Sequence, residues 1–205
     1  MPRASVPVFK RIIIKMSQKY SLAMCGASGA AFGVAILKKL IQKDSISQIA
    51  LMISATGKRC LHDEVDLGPE DLVALSPKVS LRSDQNVGAD IASGSYRQDG
   101  MIIAPCSAGA LGRIAWGVSN NLISRAADVC LKERKPLVIC LRETPLNRVH
   151  LENMLRLHDA GAILMPLMPG FYSKPKDFED LFDTFALRVL DQLGYSDHDP
   201  RRWQG

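Results

Sequence analysis

Acidic side chains are missing from the first 43 residues of this 205-residue chain, although the whole sequence holds 21 aspartates and glutamates. Basic side chains occur early in the same stretch, at Arg3, Lys10, Arg11, Lys15 and Lys19. A basic, serine-containing and acid-free N-terminus is typical of a mitochondrial transit peptide, but also of a basic tail or of an upstream start before Met16. We therefore interpret residues 1–20 as an N-terminal extension. We expect a cytoplasmic protein, or a mitochondrial one if the extension is a transit peptide.

Long apolar runs, paired cysteines and closely spaced histidines are also missing. No apolar stretch approaches the ~18–20 residues that a membrane helix needs, so we expect no membrane span. The five cysteines are odd in number and never spaced Cys-x-x-Cys, which predicts free thiols without a structural zinc. The four histidines lack metal-ligand spacing, so we expect no metal. The basic tail lacks a pattern of interleaved aromatic residues, which argues against nucleic-acid binding.

Short apolar runs alternate with longer amphipathic runs through the rest of the chain, which is typical of a βαβ series with a parallel sheet. We predict strands over residues 21–25, 49–53, 78–81, 101–105, 137–141 and 162–166. We predict helices over residues 30–42, 56–65, 108–118, 121–133, 146–160 and 178–194. Right-handed crossovers then give a single-domain α/β fold, a Rossmann-like, doubly wound parallel sheet in three α/β/α layers. The predicted domain spans residues 21–195, and residues 196–205 form a C-terminal tail.

Arg142 and Glu143 follow directly after the apolar run at residues 137–141. Such a run predicts a buried parallel strand. Because ligands of open α/β sheets bind beyond the carboxyl ends of the strands, charges at this position are expected to meet a ligand. The pair therefore predicts an anion site with a proton-transfer group beside it.

Two glycine-containing loops each link a predicted strand to a predicted helix. They are Gly26-Ala-Ser-Gly-Ala30 and Pro105-Cys-Ser-Ala-Gly-Ala110. Glycine permits a sharp turn and a close backbone approach, and the following helix start attracts phosphate. One such loop can be a plain connection, whereas two that flank a switch point favour a mononucleotide site, with hydroxyls from Ser28, Ser54 and Ser107. Cys106, at a helix start, is either a nucleophile with a lowered pKa or a small turn residue.

Other candidate side chains are scattered along the sequence. Arg125 and Lys132 lie seven residues apart and so share one helix face, where they either bind an anion or simply face solvent. With Arg142, Tyr172 and Arg188 they form a set suited to a phosphate monoester whose negative charge grows as it departs. Among carboxylates, Glu143 has the placement of a general acid or base, whereas Glu64 lies on a charged helix.

Together these motifs resemble the UbiX family of flavin prenyltransferases, formerly described as aromatic acid decarboxylases. The matching segments are Gly26-Ala-Ser-Gly-Ala30, Ala92-Ser-Gly-Ser95, Pro105-Cys-Ser107, Asn121-Leu-Ile-Ser-Arg-Ala-Ala-Asp-Val129, Leu131-Lys-Glu-Arg-Lys-Pro-Leu137, Arg142-Glu-Thr-Pro-Leu146, His150-Leu-Glu-Asn-Met154 and Pro169-Gly-Phe-Tyr172. The resemblance covers about residues 21–194. It implies a metal-independent, homo-oligomeric, dodecameric enzyme that joins the dimethylallyl group of dimethylallyl monophosphate to N5 and C6 of reduced FMN. The prenylated FMN then serves a UbiD-type decarboxylase, in ubiquinone synthesis or in aromatic acid decarboxylation.

The resemblance also implies roles for individual residues. FMN would be held by Gly26, Ala27, Ser28, Ser54, Ser107, Ala108, Gly109, Ala110 and Arg142. The allylic phosphate would be surrounded by Arg125, Lys132, Arg142, Glu143, Tyr172 and Arg188, partly across a subunit interface. Catalysis would involve Ser28, Glu64, Lys132, Glu143 and Tyr172, with Ser28, Glu64 and Glu143 managing proton transfer.

Three positions depart from the family pattern or match it weakly. Ala110 replaces a frequent Thr, Val87 stands where some members have a Trp, and Trp203 corresponds to a C-terminal Trp only by a weak tail alignment. One alternative is a flavin-dependent cysteine decarboxylase, but its Pro-x-Met-Asn motif is replaced here by Pro166-Leu-Met-Pro-Gly170. A second alternative is a flavin-binding regulatory subunit without activity, which would not need the phosphate-binding side chains.

Overall fold

A six-stranded parallel sheet forms the centre of the protein in the computed structural model, which describes residues 17–196 and 198–203. The strands are β1 Gln18–Met24, β2 Ile46–Ile53, β3 Val79–Arg82, β4 Gly100–Cys106, β5 Leu137–Leu141 and β6 Ile163–Leu164. Their order is β3-β2-β1-β4-β5-β6, and every neighbouring pair is parallel. The order reverses between β1 and β4, which is where a doubly wound sheet opens a crevice for ligands. The predicted fold class is confirmed.

Seven α-helices are present among the described residues and cover both faces of the sheet. They are α1 Ala30–Ile41, α2 Ala55–Val65, α3 Pro69–Ala74, α4 Ala108–Ala115, α5 Leu122–Lys132, α6 Arg148–Asp159 and α7 Phe178–Asp191. Buried side chains of α1, α2, α3 and α7 form one core with the sheet, and those of α4, α5 and α6 form the other. All residues of β4 and β5 are buried, as expected for strands covered on both faces.

The predicted elements are all present; β5 has the predicted ends, and most of the others begin or end at different residues. α6 begins at Arg148, two residues later than predicted, because Asn147 caps the helix by accepting from the amide of His150 at 2.9 Å. α4 ends at Ala115 and is followed by Gly117 in the left-handed region, at φ +66°. β6 has only two residues instead of five. Helix α3 lies in a stretch that received no prediction; Pro69 occupies its first turn and Asp71 accepts from the Gly68 amide.

The close contact between α1 and β4 depends on Gly33. A Cβ atom at this position would lie 2.4 Å from the carbonyl oxygen of Ala104 and 2.8 Å from Cε of Met24. A backbone carbonyl cannot move aside as a side chain can, so any side chain here would push the helix from the sheet. This contact fixes the position of the helix that begins at the glycine turn.

We predict that Gly33→Ala lowers the free energy of unfolding by roughly 1–3 kcal/mol, because the added methyl group overpacks the helix–sheet contact. Gly109→Ala is the matched control, since the nearest atom to its added Cβ is 3.8 Å away. Denaturant unfolding of both variants measures the difference. Equal stability of the two variants would contradict this account of the contact.

Candidate active site

Four loops meet at the carboxyl edge of the sheet, after β1, β2, β4 and β5. Main-chain hydrogen bonds join them where the strands end: Ser54 N to Met24 O at 3.0 Å, Cys25 N to Pro105 O at 2.9 Å, and Arg142 N to Cys106 O at 2.9 Å. The functional side chains predicted on these loops therefore belong to one region. The loops after β1 and β4 flank the switch point, as predicted.

Two serines cap the helices that begin in this region. The hydroxyl of Ser54 accepts from the amide of Gly57 at 3.0 Å, and that of Ser107 accepts from the amide of Ala110 at 3.3 Å. A helix start leaves its first amides without acceptors in the helix and carries a partial positive charge. The exposed Arg142 follows the neighbouring strand. Ser54, Ser107, the start of α4 and Arg142 thus form a site that fits a phosphate group.

The glycine turn after β1 is arranged differently from the prediction. The amides of Gly29 and Ala30 both donate to Oε2 of Glu64, each at 2.8 Å. A carboxylate from α2 therefore occupies the N-terminus of α1, where the sequence predicted a phosphate. The physical reason is that a fixed internal anion satisfies the same orphan amides and the same helix dipole. Glu64 is therefore a capping ligand of this turn, although its side chain is exposed.

The turn itself is compact and open on one side. A Cβ atom at Gly26 would lie 2.0 Å from Oγ1 of Thr56, so the chain passes against the start of α2. Ala27 is buried, whereas Ser28 is exposed. The exposed Ser28 is therefore available to a ligand in the crevice, next to the Glu64 cap.

Glu143 stays close to the backbone after β5. Its Oε1 atom accepts from the amide of Thr144 at 3.1 Å, and the side chain is half-buried. Cys106, the last residue of β4, is buried, and a hydrogen bond with Cys25 together with burial raises the pKa of its thiol well above the ordinary value. Burial and a raised pKa favour the small turn residue over the nucleophile as the interpretation of Cys106. All five cysteines are free thiols.

A cavity of about 290 Å³ lies beside these loops and contains both Tyr172 and Arg188. Its apolar wall includes Met165, Met168 and Phe185. The segment that carries these methionines follows the end of β5, since the amide of Leu167 donates to the carbonyl of Leu141 at 2.9 Å. A Cβ atom on Gly29 would lie 2.9 Å from Cδ1 of Leu167, so the same segment touches the glycine turn.

The C-terminal tail completes one side of this cavity. Arg201 is paired with Asp199, at 2.7 and 2.9 Å, and with Asp180 of α7. Trp203 presents its ring edge-to-face to Tyr172, with ring centroids 6.2 Å apart. The sequence indicated Trp203 but missed the anchoring arginine. Two adjacent arginines in a sequence do not reveal a partner such as Asp180, which lies 21 residues before Arg201.

Arg125 and Lys132 lie elsewhere in the chain, against the segment at residues 92–94. Nε of Arg125 donates to the carbonyl of Ala92 at 3.1 Å, and Nζ of Lys132 lies 2.4 Å from where a Cβ of Gly94 would be. The two cations share a helix face, as predicted. Lys132 precedes β5 and Arg142 follows it, and a five-residue strand separates its two ends by about 16 Å. One chain therefore does not bring Lys132 to the carboxyl edge.

Residues 17–196 and 198–203 contain neither a metal-binding cluster nor a membrane-spanning helix. No cluster of three or more histidine, cysteine or acidic side chains there has an arrangement that could bind a metal ion. None of the helices in the same residues combines the length and the apolar composition that crossing a membrane requires.

The tail contact should weaken at low pH. The hydrogen bond from the Arg201 guanidinium lowers the pKa of Asp199 from 3.8 to about 2. The Asp199 carboxylate therefore stabilises the folded state fully above pH 3.8, and this stabilisation is lost as the pH falls towards 2. We predict that Asp199→Asn lowers the free energy of unfolding by a constant amount between pH 8 and 5, and by less towards pH 3. Unfolding curves at several pH values measure it, and a difference independent of pH down to 3 would contradict the pairing.

Comparisons with known proteins agree with this geometry. A family model described as Flavoprotein matches residues 15–189. The chain is 44% identical over 192 residues to the flavin prenyltransferase UbiX of Methanothermobacter thermautotrophicus, with 94% of this chain and 98% of the relative covered. It is 41% identical over 201 residues to the mitochondrial flavin prenyltransferase PAD1 of Saccharomyces cerevisiae, with 98% and 78% covered.

Solved structures give the same grouping. AnUbiX (PadA1), crystallised with FMN and dimethylallyl pyrophosphate, is 38% identical and superposes with a TM-score of 0.85 over 92% of this chain and 98% of its own. A dodecameric FMN-dependent UbiX-like decarboxylase from Escherichia coli O157:H7 is 40% identical, with a TM-score of 0.86 over 92% and 100%. The chain therefore belongs to the flavoprotein family and, within it, to the UbiX flavin prenyltransferases.

Proposed function

We propose that this protein transfers a dimethylallyl group from dimethylallyl monophosphate to N5 and C6 of reduced FMN. The observation that carries the proposal is the cavity lined by Tyr172 and Arg188. The segment that supplies its Met165 and Met168 also touches, through Leu167, both the glycine turn and the end of β5. A cation and a phenol beside a mononucleotide-type crevice suit an allylic phosphate and its acceptor. The relative crystallised with FMN and dimethylallyl pyrophosphate supports this pair of ligands.

The flavin would bind across the switch point between β1 and β4. When bound, reduced FMN supplies the nucleophilic nitrogen and carbon of the reaction. Its phosphate would meet Ser54, Ser107, Arg142 and the start of α4, because the start of α1 is occupied by Glu64. The proposed binding residues are Gly26, Ala27, Ser28, Ser54, Ser107, Ala108, Gly109, Ala110 and Arg142. Without a hydroxyl at Ala110, the hydrogen bonds at the start of α4 come from the backbone and from Ser107.

The donor phosphate would be held by Tyr172 and Arg188 of one chain. Charge-assisted hydrogen bonds from these groups stabilise the negative charge that grows on the phosphate as the carbon–oxygen bond breaks. Arg125 and Lys132 would reach the same phosphate from a neighbouring subunit, since they lie away from the carboxyl edge of their own chain. A homo-oligomer, and a dodecamer by analogy with the Escherichia coli relative, provides that neighbour.

Proton movement would depend on carboxylates at the two sides of the crevice. Arg142 would lie between the flavin phosphate and the donor phosphate, and Glu143, directly after it at the end of β5, would handle the proton that leaves or joins as the new bond forms. Ser28 lies in the turn that Glu64 caps, so Glu64 orients the backbone that presents the Ser28 hydroxyl. The apolar wall at Met165, Met168 and Phe185 would exclude water from the departing allyl group.

The product would pass to a UbiD-type decarboxylase. The resemblance to the UbiX family implies this recipient, because the prenylated flavin is a cofactor that a separate enzyme uses. The mitochondrial yeast relative, together with the basic N-terminus, makes mitochondria the alternative compartment to the cytoplasm. Residues 1–16, which carry most of that basic charge, lie outside the described residues.

We predict that the purified protein retains FMN, and that anaerobic reduction with dimethylallyl monophosphate adds the mass of one five-carbon unit to the flavin. Mass spectrometry of the released cofactor measures the addition. A parallel sample with inorganic phosphate and no prenyl donor is the control. Flavin that stays unmodified with both the monophosphate and the diphosphate offered would refute the proposed activity.

We also predict that Glu143→Gln and Tyr172→Phe each lower turnover at least about 100-fold while FMN remains bound, because each removes a group that acts on the proton or on the phosphate. Glu152→Gln and Tyr195→Phe are matched controls, since Glu152 pairs with Arg148 on exposed α6 and Tyr195 bonds to Gln18 at the other edge of the sheet. Near-normal turnover in both site variants would show that the site is assigned wrongly.

A further inference from the structure

Asp191, at the end of α7, is shared by two arginines that line the donor cavity. NH1 of Arg188 donates to its Oδ2 atom at 2.7 Å. Arg202 of the C-terminal tail donates to both oxygens, to Oδ1 from NH2 at 2.6 Å and to Oδ2 from NH1 at 2.8 Å. Tyr172, Arg188, Arg202 and Trp203 line one recess.

The carboxylate of Asp191 needs cationic partners more than an ordinary surface acid does. Its side chain is only 13% exposed, and it lies at the helix C-terminus, where the dipole disfavours negative charge. If one partner leaves, the other must supply the compensating charge. The two partners are unequal, because Arg202 makes a bidentate contact and Arg188 makes a single one through an oxygen that Arg202 already uses.

This inequality determines which arginine can turn to a ligand. Arg188 can leave at low cost, since Asp191 keeps both hydrogen bonds from Arg202. The side chain of Arg188 is 52% exposed, against 26% for Arg202, so it also has more room to move. Without Arg202, Asp191 would retain Arg188 as its compensating cation.

We propose that Arg202 is a positioning residue, which holds Asp191 so that Arg188 is released to bind the phosphate of the prenyl donor. The proposal rests on the proposed function and adds a residue that the sequence motifs had not indicated. The tail is attached separately through Arg201, which pairs with Asp180 and Asp199. Loss of Arg202 therefore leaves a second anchor in place.

A double-mutant cycle separates this role from a structural one. We expect Arg202→Gln to raise KM for dimethylallyl monophosphate about tenfold with a smaller change in kcat, because Arg188 stays with Asp191. Adding Asp191→Asn should return KM to within about threefold of wild type, since Arg188 then has no competing carboxylate. If Arg202 has only a structural role, or if it contacts the phosphate directly, the second substitution should not restore KM.

Arg148→Gln is the control, because this arginine forms an exposed pair with Glu152 outside the site. FMN content shows whether the flavin site remains in place, and the tryptophan fluorescence of each variant, measured in a Trp116→Phe background so that it reports Trp203, shows whether the tail does. A tenfold rise in KM that persists in the double variant, with both signals normal, would overturn the proposal.

Inorganic phosphate distinguishes failure of this inference from failure of the proposed function. Calorimetry should give the same affinity order, with Arg202→Gln weakest and the double variant restored, whether or not the flavin becomes prenylated. If the variants show this order of phosphate affinity but the wild-type protein adds no five-carbon unit to the flavin, prenylation is refuted and the role of Arg202 is supported. Equal phosphate affinity in all variants would refute the role of Arg202, whatever the activity.

Discussion

The parallel register of the strands is the constraint on which the rest of the structure depends. Because β1 pairs with β2 on one side and with β4 on the other, the chain must reverse its direction of winding there, and the following loops part to form a crevice. Hydrogen bonds at the strand ends continue this register into the loops. Side chains from positions more than a hundred residues apart therefore reach the same edge with little freedom.

The sequence patterns predicted those parts of the protein whose causes are local. The strand over residues 137–141 and the helix starts after Ser54 and Ser107 follow from nearby apolar runs and caps, and the structure contains each of them. The cap by Glu64 and the contact of Arg202 with Asp191 have causes outside the local helix. They depend on how α2 and the tail pack against other elements, which no spacing in the chain encodes. Local periodicity therefore predicts the strands and helices that surround the site, but not which charged side chains pair with each other there.

The proposed functional groups are divided between two separate surfaces of one chain. The carboxyl edge holds the loops, Arg142 and the cavity of Tyr172, whereas Arg125 and Lys132 lie on the segment at residues 92–94. A complete phosphate site on the proposed pattern needs both surfaces, so assembly of the subunits and assembly of the site become one event. Dilution would then lower activity without unfolding any subunit.

The Glu64 cap has a consequence for the direction in which a nucleotide can lie. Two neighbouring helix starts face the crevice, and each on its own would attract a phosphate equally well. Since a carboxylate from the same chain fills one of them in this structure, a second anion would be repelled there. The two ends of the crevice therefore differ in charge, and this difference would favour one orientation of a bound mononucleotide.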